Sequence, residues 1–160
     1  MDCTWHYESP LGGITLASDG EALVGLWFDG QKYFADSLDR NHEERLLPVL
    51  AEACRWLDIY FSGQVPDFTP RLIFRATPFR AQVYGMLLTI PYGQTMTYGE
   101  ISSSARAAGG AVAHNPISLI VPCHRVVGKD GSLTGYAGGM DRKKWLLDME
   151  ANDSHSRNSR

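Results

Sequence analysis

Cys123, His124 and Arg125 follow one another directly, at the end of the apolar run Leu119-Ile120-Val121-Pro122. Sulfur attacks carbon as a thiolate, and a free thiol ionises only near about pH 8.5, so a reactive cysteine needs an imidazole base or a nearby cation. Both types sit beside Cys123. Taken alone, a Cys-His pair is more often an inert buried thiol next to a surface imidazole. Cys3 and Cys54 read that way, since neither has a base close by in sequence. Three cysteines, odd in number and far apart, encode neither a disulfide framework nor a CxxC metal knuckle, which fits a reducing compartment. The histidines are scattered and only His124 adjoins a cysteine, so no metal set and no cofactor is expected.

The elements that must position this pair are legible from periodicity and turn chemistry. Cys3 to Glu8, Gly12 to Ser18 and Ala22 to Phe28 are rich in β-branched and aromatic residues and are separated by Ser-Pro-Leu-Gly and Ser-Asp-Gly-Glu turns. They predict a β-meander. From Glu43 to Phe61 apolar residues recur every three or four positions, which predicts an amphipathic helix. Residues 63–70 read as a connector. Thr77-Pro78 starts a further helix of about 13 residues that Pro91-Tyr92-Gly93 ends. Thr97-Tyr98-Gly99-Glu100 matches a capping box, and Ser103 or Ser104 caps another helix over 105–113, so a helix-turn-helix is expected. Gly109 and Gly110 inside that helix each cost roughly 1 kcal/mol relative to alanine, which asks for a reason such as close approach of another backbone. Ile117 to Val121 reads as a short buried strand or extended run, 128–131 as a turn, and Asp141 to Glu150 as the last helix.

The expected fold class is therefore α+β. An N-terminal lobe of small β-meander plus helix covers 1–70, a mostly helical C-terminal lobe covers 71–150, and 151–160 is a frayed, disordered tail without apolar anchors. The 160 residues are 44% hydrophobic and 21% charged, which argues against a disordered chain, a collagen or a coiled coil. No apolar run reaches membrane-spanning length and Met1 to His6 has no signal-peptide character, so no membrane partner and a cytoplasmic location are expected. The formal charge of −3 hides an asymmetry. Residues 1–70 hold four Lys/Arg against twelve Asp/Glu, net −8, while 102–145 hold six against two, net +4. An anionic partner fits the second half, and the first half repels one.

The stretch from Asn115-Pro116 through Pro122-Cys123-His124-Arg125-Val126-Val127-Gly128, with Gly135-Tyr136-Ala137-Gly138-Gly139 and Lys143-Lys144-Trp145-Leu146-Leu147 behind it, closely resembles the O6-alkylguanine-DNA alkyltransferases. The likeness extends back through Arg106-Ala107-Ala108-Gly109-Gly110, Ile90-Pro91-Tyr92-Gly93 and Thr77-Pro78-Phe79 to Ser9-Pro10-Leu11-Gly12. It implies direct-reversal DNA repair: a single-turnover methyltransferase that moves an alkyl group from O6 of guanine, and from O4 of thymine, onto its own Cys123. By the same resemblance His124 draws the thiol proton through a water, Glu150 orients His124, and the Tyr98 hydroxyl donates to the base. Reaching O6 in a duplex requires base flipping, and Arg106 occupies the position that fills the gap. The glycines Gly109 and Gly110 let that helix approach the minor groove, and Asn115 is the hinge asparagine. The carbonyls of Cys123 and Val126 receive the exocyclic amine, Tyr136, Ala137 and Gly138 form the pocket lid, and Arg125 lies among the DNA- and substrate-binding residues. Lys143 and Lys144 serve phosphate proximity or solubility. The implied partner is double-stranded DNA carrying O6-alkylguanine, met by a monomer of bacterial type.

One departure stands out. Tyr98 and Arg106 are eight positions apart, several fewer than in the family pattern, so the helix-turn-helix is shortened and its angle to DNA is in question. Two other classes share the outline. A binding protein of the same architecture without transfer usually lacks the cysteine. A cysteine hydrolase would use Cys, His and Glu for acyl transfer, but no oxyanion motif accompanies them.

Overall fold

The computed structural model describes residues 1–158, without side-chain detail beyond residue 152. Two compact units divide the chain: residues 1–75 with Pro116–Ser118 form the first, and 76–115 with 119–160 the second. The first unit thus runs past the expected boundary at 70 and takes three residues from the middle of the second half.

In the first unit, β1 (Asp2–Ser9), β2 (Gly12–Ser18) and β3 (Leu23–Phe28) form the antiparallel meander, and a short β4 (His42–Glu44) pairs parallel with β1 to give the order β3-β2-β1-β4. Every residue of β3 is buried, as an apolar run covered on both faces should be. Gly25 is obligatory there, because a Cβ would stand 2.1 Å from the folded-back Trp27 ring. The helix α1 spans Pro48–Phe61 rather than starting at Glu43. Proline disfavours helical backbone in the residue before it, and Leu47 is extended at φ −87°, ψ 158°, so 43–47 cannot join the helix despite their apolar spacing. Leu50, Ala53, Trp56, Leu57 and Tyr60 form its buried face. The expected strand or extended run at 117–121 is neither, because 118–120 form a turn with Leu119 at positive φ. Instead Leu26 N donates to Pro116 O, and Ser118 N to Leu26 O, in a single bridge.

In the second unit α2 is Pro78–Leu87, shorter than expected, with Thr77 accepting from Arg80 N at its start. β5 (Met96–Thr97) pairs parallel with β6 (Val126–Val127). The helix-turn-helix is present and short: α3 (Tyr98–Ile101) is one turn with a complete Thr97–Glu100 capping box, Ser102 is extended, and Ser104 caps α4 (Ala105–Ala113). Cys123–Arg125 form a 3-10 turn between the pinned segment 115–121 and β6. The last helix α5 runs from Met140 to Asn158, so residues 151–158, expected as tail, continue the helix, while 159 and 160 lie outside the described residues.

Candidate active site

Cys123 stands at the start of the 3-10 turn and is 3% exposed. Two anchors hold the backbone before it. Asn115, buried at the end of α4, donates its side-chain amide to Val121 O at 2.9 Å, and Cys123 N donates to Val121 O at 2.8 Å. Leu119 lies in the left-handed region at φ 70°, a conformation costly for a leucine and kept here by complete burial. The 3-10 turn puts three consecutive side chains on different sides, which is how Cys123 and its two neighbours take separate roles.

His124 is fully buried, and its Nε2 meets Glu150 Oε2 at 2.6 Å. Burial disfavours the imidazolium and outweighs the attraction of Glu150, so the ring's pKa is lowered from the ordinary 6.5. Burial by itself would raise the Glu150 carboxyl, but the charges and hydrogen bonds of His124 and Arg125 reverse it and hold the group far below the usual carboxylate range. A neutral ring facing an ionised carboxylate must carry its proton on Nε2 and donate it to Glu150, which leaves the Nδ1 lone pair to accept a proton. The tautomer needed of a base for Cys123 is set by Glu150. That carboxylate comes from α5, 27 positions from the cysteine.

Arg125 does not face outward. Its Nε and one terminal nitrogen donate to Glu150 Oε1 and Oε2 at 2.7 and 3.1 Å, the other terminal nitrogen donates to Ile90 O at 2.8 Å, and the guanidinium lies 5.6 Å from the Tyr92 ring centre. The expectation that Arg125 binds DNA or substrate is therefore corrected: its side chain is consumed in fixing Glu150, and Gly93 N adds a further donor at 3.3 Å. Lys143 is the second correction and the residue that sequence reasoning missed. It is fully buried, with Nζ donating to Val126 O at 2.5 Å and Thr134 O at 2.9 Å, whereas its neighbour Lys144 is exposed and pairs with Asp148 at 3.6 Å. A signal existed in the helical spacing of Lys143 with the core residue Leu146, but lysine is almost never assigned to a buried position.

Tyr98 is half-buried, and its hydroxyl accepts from Thr134 Oγ1 at 3.1 Å. Tyr98, Ala105, Gly109, Lys129 and Thr134 line a cavity of about 620 Å³ together with Thr97, Gly99 and Glu100, and Cys123 is not in its wall. Arg106 is exposed on the first turn of α4. A Cβ on Gly109 would meet nothing within 4 Å, and one on Gly110 only the Arg80 side chain at 3.9 Å, so no internal packing accounts for the pair. Tyr136 and Ala137 are half-buried, Gly138 is buried, and this loop is tied to α5 by Arg142 donating to Gly138 O at 3.0 Å. Val126 O, one of the expected base acceptors, already receives Lys143, and a second lone pair remains. Among the described residues no group of three or more potential ligands could hold a metal ion.

Two family models account for most of the chain. Residues 5–73 match the 6-O-methylguanine DNA methyltransferase ribonuclease-like domain, and residues 78–152 match the DNA binding domain of the same family. The methylated-DNA–protein-cysteine methyltransferase of Mycobacterium tuberculosis is 44% identical over 154 residues, covering 91% of this chain and 92% of that protein. That of Methanosarcina acetivorans is also 44% identical, covering 90% and 95%. The crystal structure of Mycobacterium tuberculosis OGT in complex with DNA superposes with a TM-score of 0.82 at 41% identity, covering 95% of this chain and 93% of that one. With both halves matched and relatives of this identity aligned along nearly its whole length, the chain belongs to the 6-O-methylguanine DNA methyltransferase family.

Proposed function

We propose that this protein repairs DNA by direct reversal, transferring a methyl or larger alkyl group from O6 of guanine, and from O4 of thymine, to Cys123 in one irreversible step. The observation that carries the reading is the buried His124–Glu150 contact of 2.6 Å, one residue from the cysteine, which fixes the tautomer a base requires. His124 takes the thiol proton. The sulfur forms a bond to the alkyl carbon, the carbon–O6 bond breaks with its electron pair passing to the base, and the base regains one proton and leaves as guanine. Sulfur and carbon end in a thioether that nothing in the site reverses, so each protein molecule reacts once.

The Tyr98 hydroxyl, on the cavity beside α4, is the donor to the base, and the Tyr136 to Gly138 loop covers the pocket. Arg106 enters the stack in place of the extruded nucleotide, and unstacking costs a few kcal/mol that this insertion offsets. Gly109 and Gly110 leave room for the minor-groove backbone. With Arg125 and Lys143 turned inward, Arg106, Lys129, Arg142 and Lys144 are the cations of residues 102–145 left to favour the phosphates. One copy holds the whole constellation, so a monomer is the working unit, acting on chromosomal DNA in the cytoplasm. A binding-only reading has nothing on its side, because the cysteine and its base are both in place.

The test is incubation with an oligonucleotide duplex containing O6-methylguanine, followed by peptide mass spectrometry. One methyl group on the Cys123 peptide and none on Cys3 or Cys54 is expected, with uptake stopping at one equivalent. Continued turnover, or an unmodified Cys123, overturns the reading.

A further inference from the structure

Lys143 is an anomaly of placement. An ammonium group is costly to bury, and buried lysines ordinarily pair with a carboxylate. This one, on the first turn of α5, is fully buried and no ion pair to a carboxylate is found for it among the described residues. Its donors go to two backbone carbonyls, Val126 O just after the cysteine's turn and Thr134 O on the loop whose side chain holds the Tyr98 hydroxyl. Carbonyl dipoles satisfy the donors without cancelling the charge. A carboxylate would have cancelled it. The placement makes sense when the anion is one that forms and disappears during the reaction.

We propose that Lys143 is the fixed counter-charge of the Cys123 thiolate, a positioning residue whose full positive charge is kept available by carbonyl rather than carboxylate partners. The inference rests on Cys123 being the nucleophile. The electrostatics agree: burial lowers the Lys143 pKa, and the charge that opposes this comes from Cys123. Other titratable or charged groups around the cysteine are Tyr84 on α2, pushed up to about 12 mainly by burial, with Cys123's charge adding to it, His124 and Arg125 on the turn, and Glu150 on α5. Tyr84 stays neutral in the working range, and Glu150 is shared between His124 and Arg125. Lys143 is the cation left uncommitted. A further consequence follows. When the sulfur forms its bond to the alkyl carbon and becomes a neutral thioether, Lys143 permanently loses its anion.

The experiment compares wild type, Lys143→Met and Lys143→Arg for the rate of Cys123 alkylation by free O6-alkylguanine base across pH, with KM and maximal rate separated. Without the charge, the pH midpoint should rise by about one unit or more and the rate at neutral pH fall about tenfold, converging with wild type at high pH. Lys143→Arg should keep the wild-type midpoint even if slower. Profiles that run parallel, with a uniform loss, would show a purely structural lysine and overturn the proposal. Should Lys143→Met fail to fold, NMR titration of the Lys143 side chain in wild type, before and after methylation of Cys123, decides instead. Its midpoint should drop by about one unit or more on methylation, and an unchanged midpoint overturns the proposal. A wild-type protein that never alkylates removes the proposed function and this inference with it, whereas a reactive wild type with a parallel Lys143→Met profile removes this inference alone.

Discussion

Each unit contains a histidine whose Nε2 lies 2.6 Å from a carboxylate oxygen, and the two pairs behave oppositely. His6 and Asp29, in the sheet unit, are 45% and 41% exposed, and Asp29 also accepts from Thr15. There the hydrogen bond to Asp29, helped by the charges of Asp29, Glu8 and Glu44, outweighs desolvation, and the His6 pKa is raised. His124 and Glu150 are 0% and 1% exposed, burial is the largest influence, and the His124 pKa is lowered. The distance is alike; hydration differs, and so do the neighbouring charges, which are Glu8 and Glu44 for His6 but Arg125 and Lys143 for His124. The exposed pair favours the imidazolium, whereas the buried pair favours a neutral imidazole facing an ionised carboxylate.

Breaking the buried pair gives the largest expected effect. Glu150→Gln should slow methyl transfer from an oligonucleotide by about 10²- to 10⁴-fold in single-turnover kinetics, while Asp29→Asn leaves the rate at wild type. Equal rates for the two variants would mean that burial has not made the second pair functional. Next comes Arg106→Ala, expected to reduce reaction with duplex substrate by about 10- to 100-fold while reaction with free alkylated base hardly changes, since the gap it fills exists only in the stack. Matching losses on both substrates would move Arg106 from the stack to the fold.

The contrast sharpens in an NMR titration. His6 should gain its proton above the ordinary 6.5 and His124 below it, and crossing midpoints in the reverse order would contradict the desolvation argument. Stability follows with opposite signs. For His124 the unfolded chain takes up a proton as pH drops below 6.5 and the folded protein does not, so stability falls by up to about 1.4 kcal/mol per pH unit until the lowered folded value is reached. Glu150 adds to that loss as pH falls from 4.5 toward its depressed folded value. The raised His6 contributes in the other direction, fully below 6.5 and lost as pH rises through its folded value, and its exposure keeps the contribution small. Urea unfolding between pH 7.5 and 5 should therefore show falling stability, and a flat profile would remove His124 as the controlling group. The smallest effect belongs to Asp29→Asn, about 0–1 kcal/mol, read from the unfolding midpoint at neutral pH.

Periodicity and caps locate most elements because they act within a few residues. Thr77-Pro78, the Thr97–Glu100 box and Ser104 each satisfy orphan N–H groups at a helix start, and the structure has a helix at each. The helix start at 43 fails on Pro48, where a local steric rule overrides the apolar pattern. Residues 117–121 fail for another reason. Ser118 finds its acceptor on β3, and Asn115 reaches Val121, so that segment is held by partners remote in sequence and needs no ladder of its own.

The Cys123-His124 pair and the family likeness were legible in the sequence alone, since adjacency in the chain and motif identity require no folding to be read. The fates of Arg125 and Lys143 were decided only by tertiary structure. Both are basic residues within or near a DNA-facing motif, and on composition both belong to the phosphates. Whether a long cationic side chain meets water or turns inward depends on which acceptors the fold brings within reach. For Arg125 those are Glu150 and Ile90 O, and for Lys143 they are Val126 O and Thr134 O, from elements 9 to 35 positions away. Charge type is written in the sequence, but solvation is a property of the packed chain, and it is solvation that separates His124 from His6 and Lys143 from Lys144.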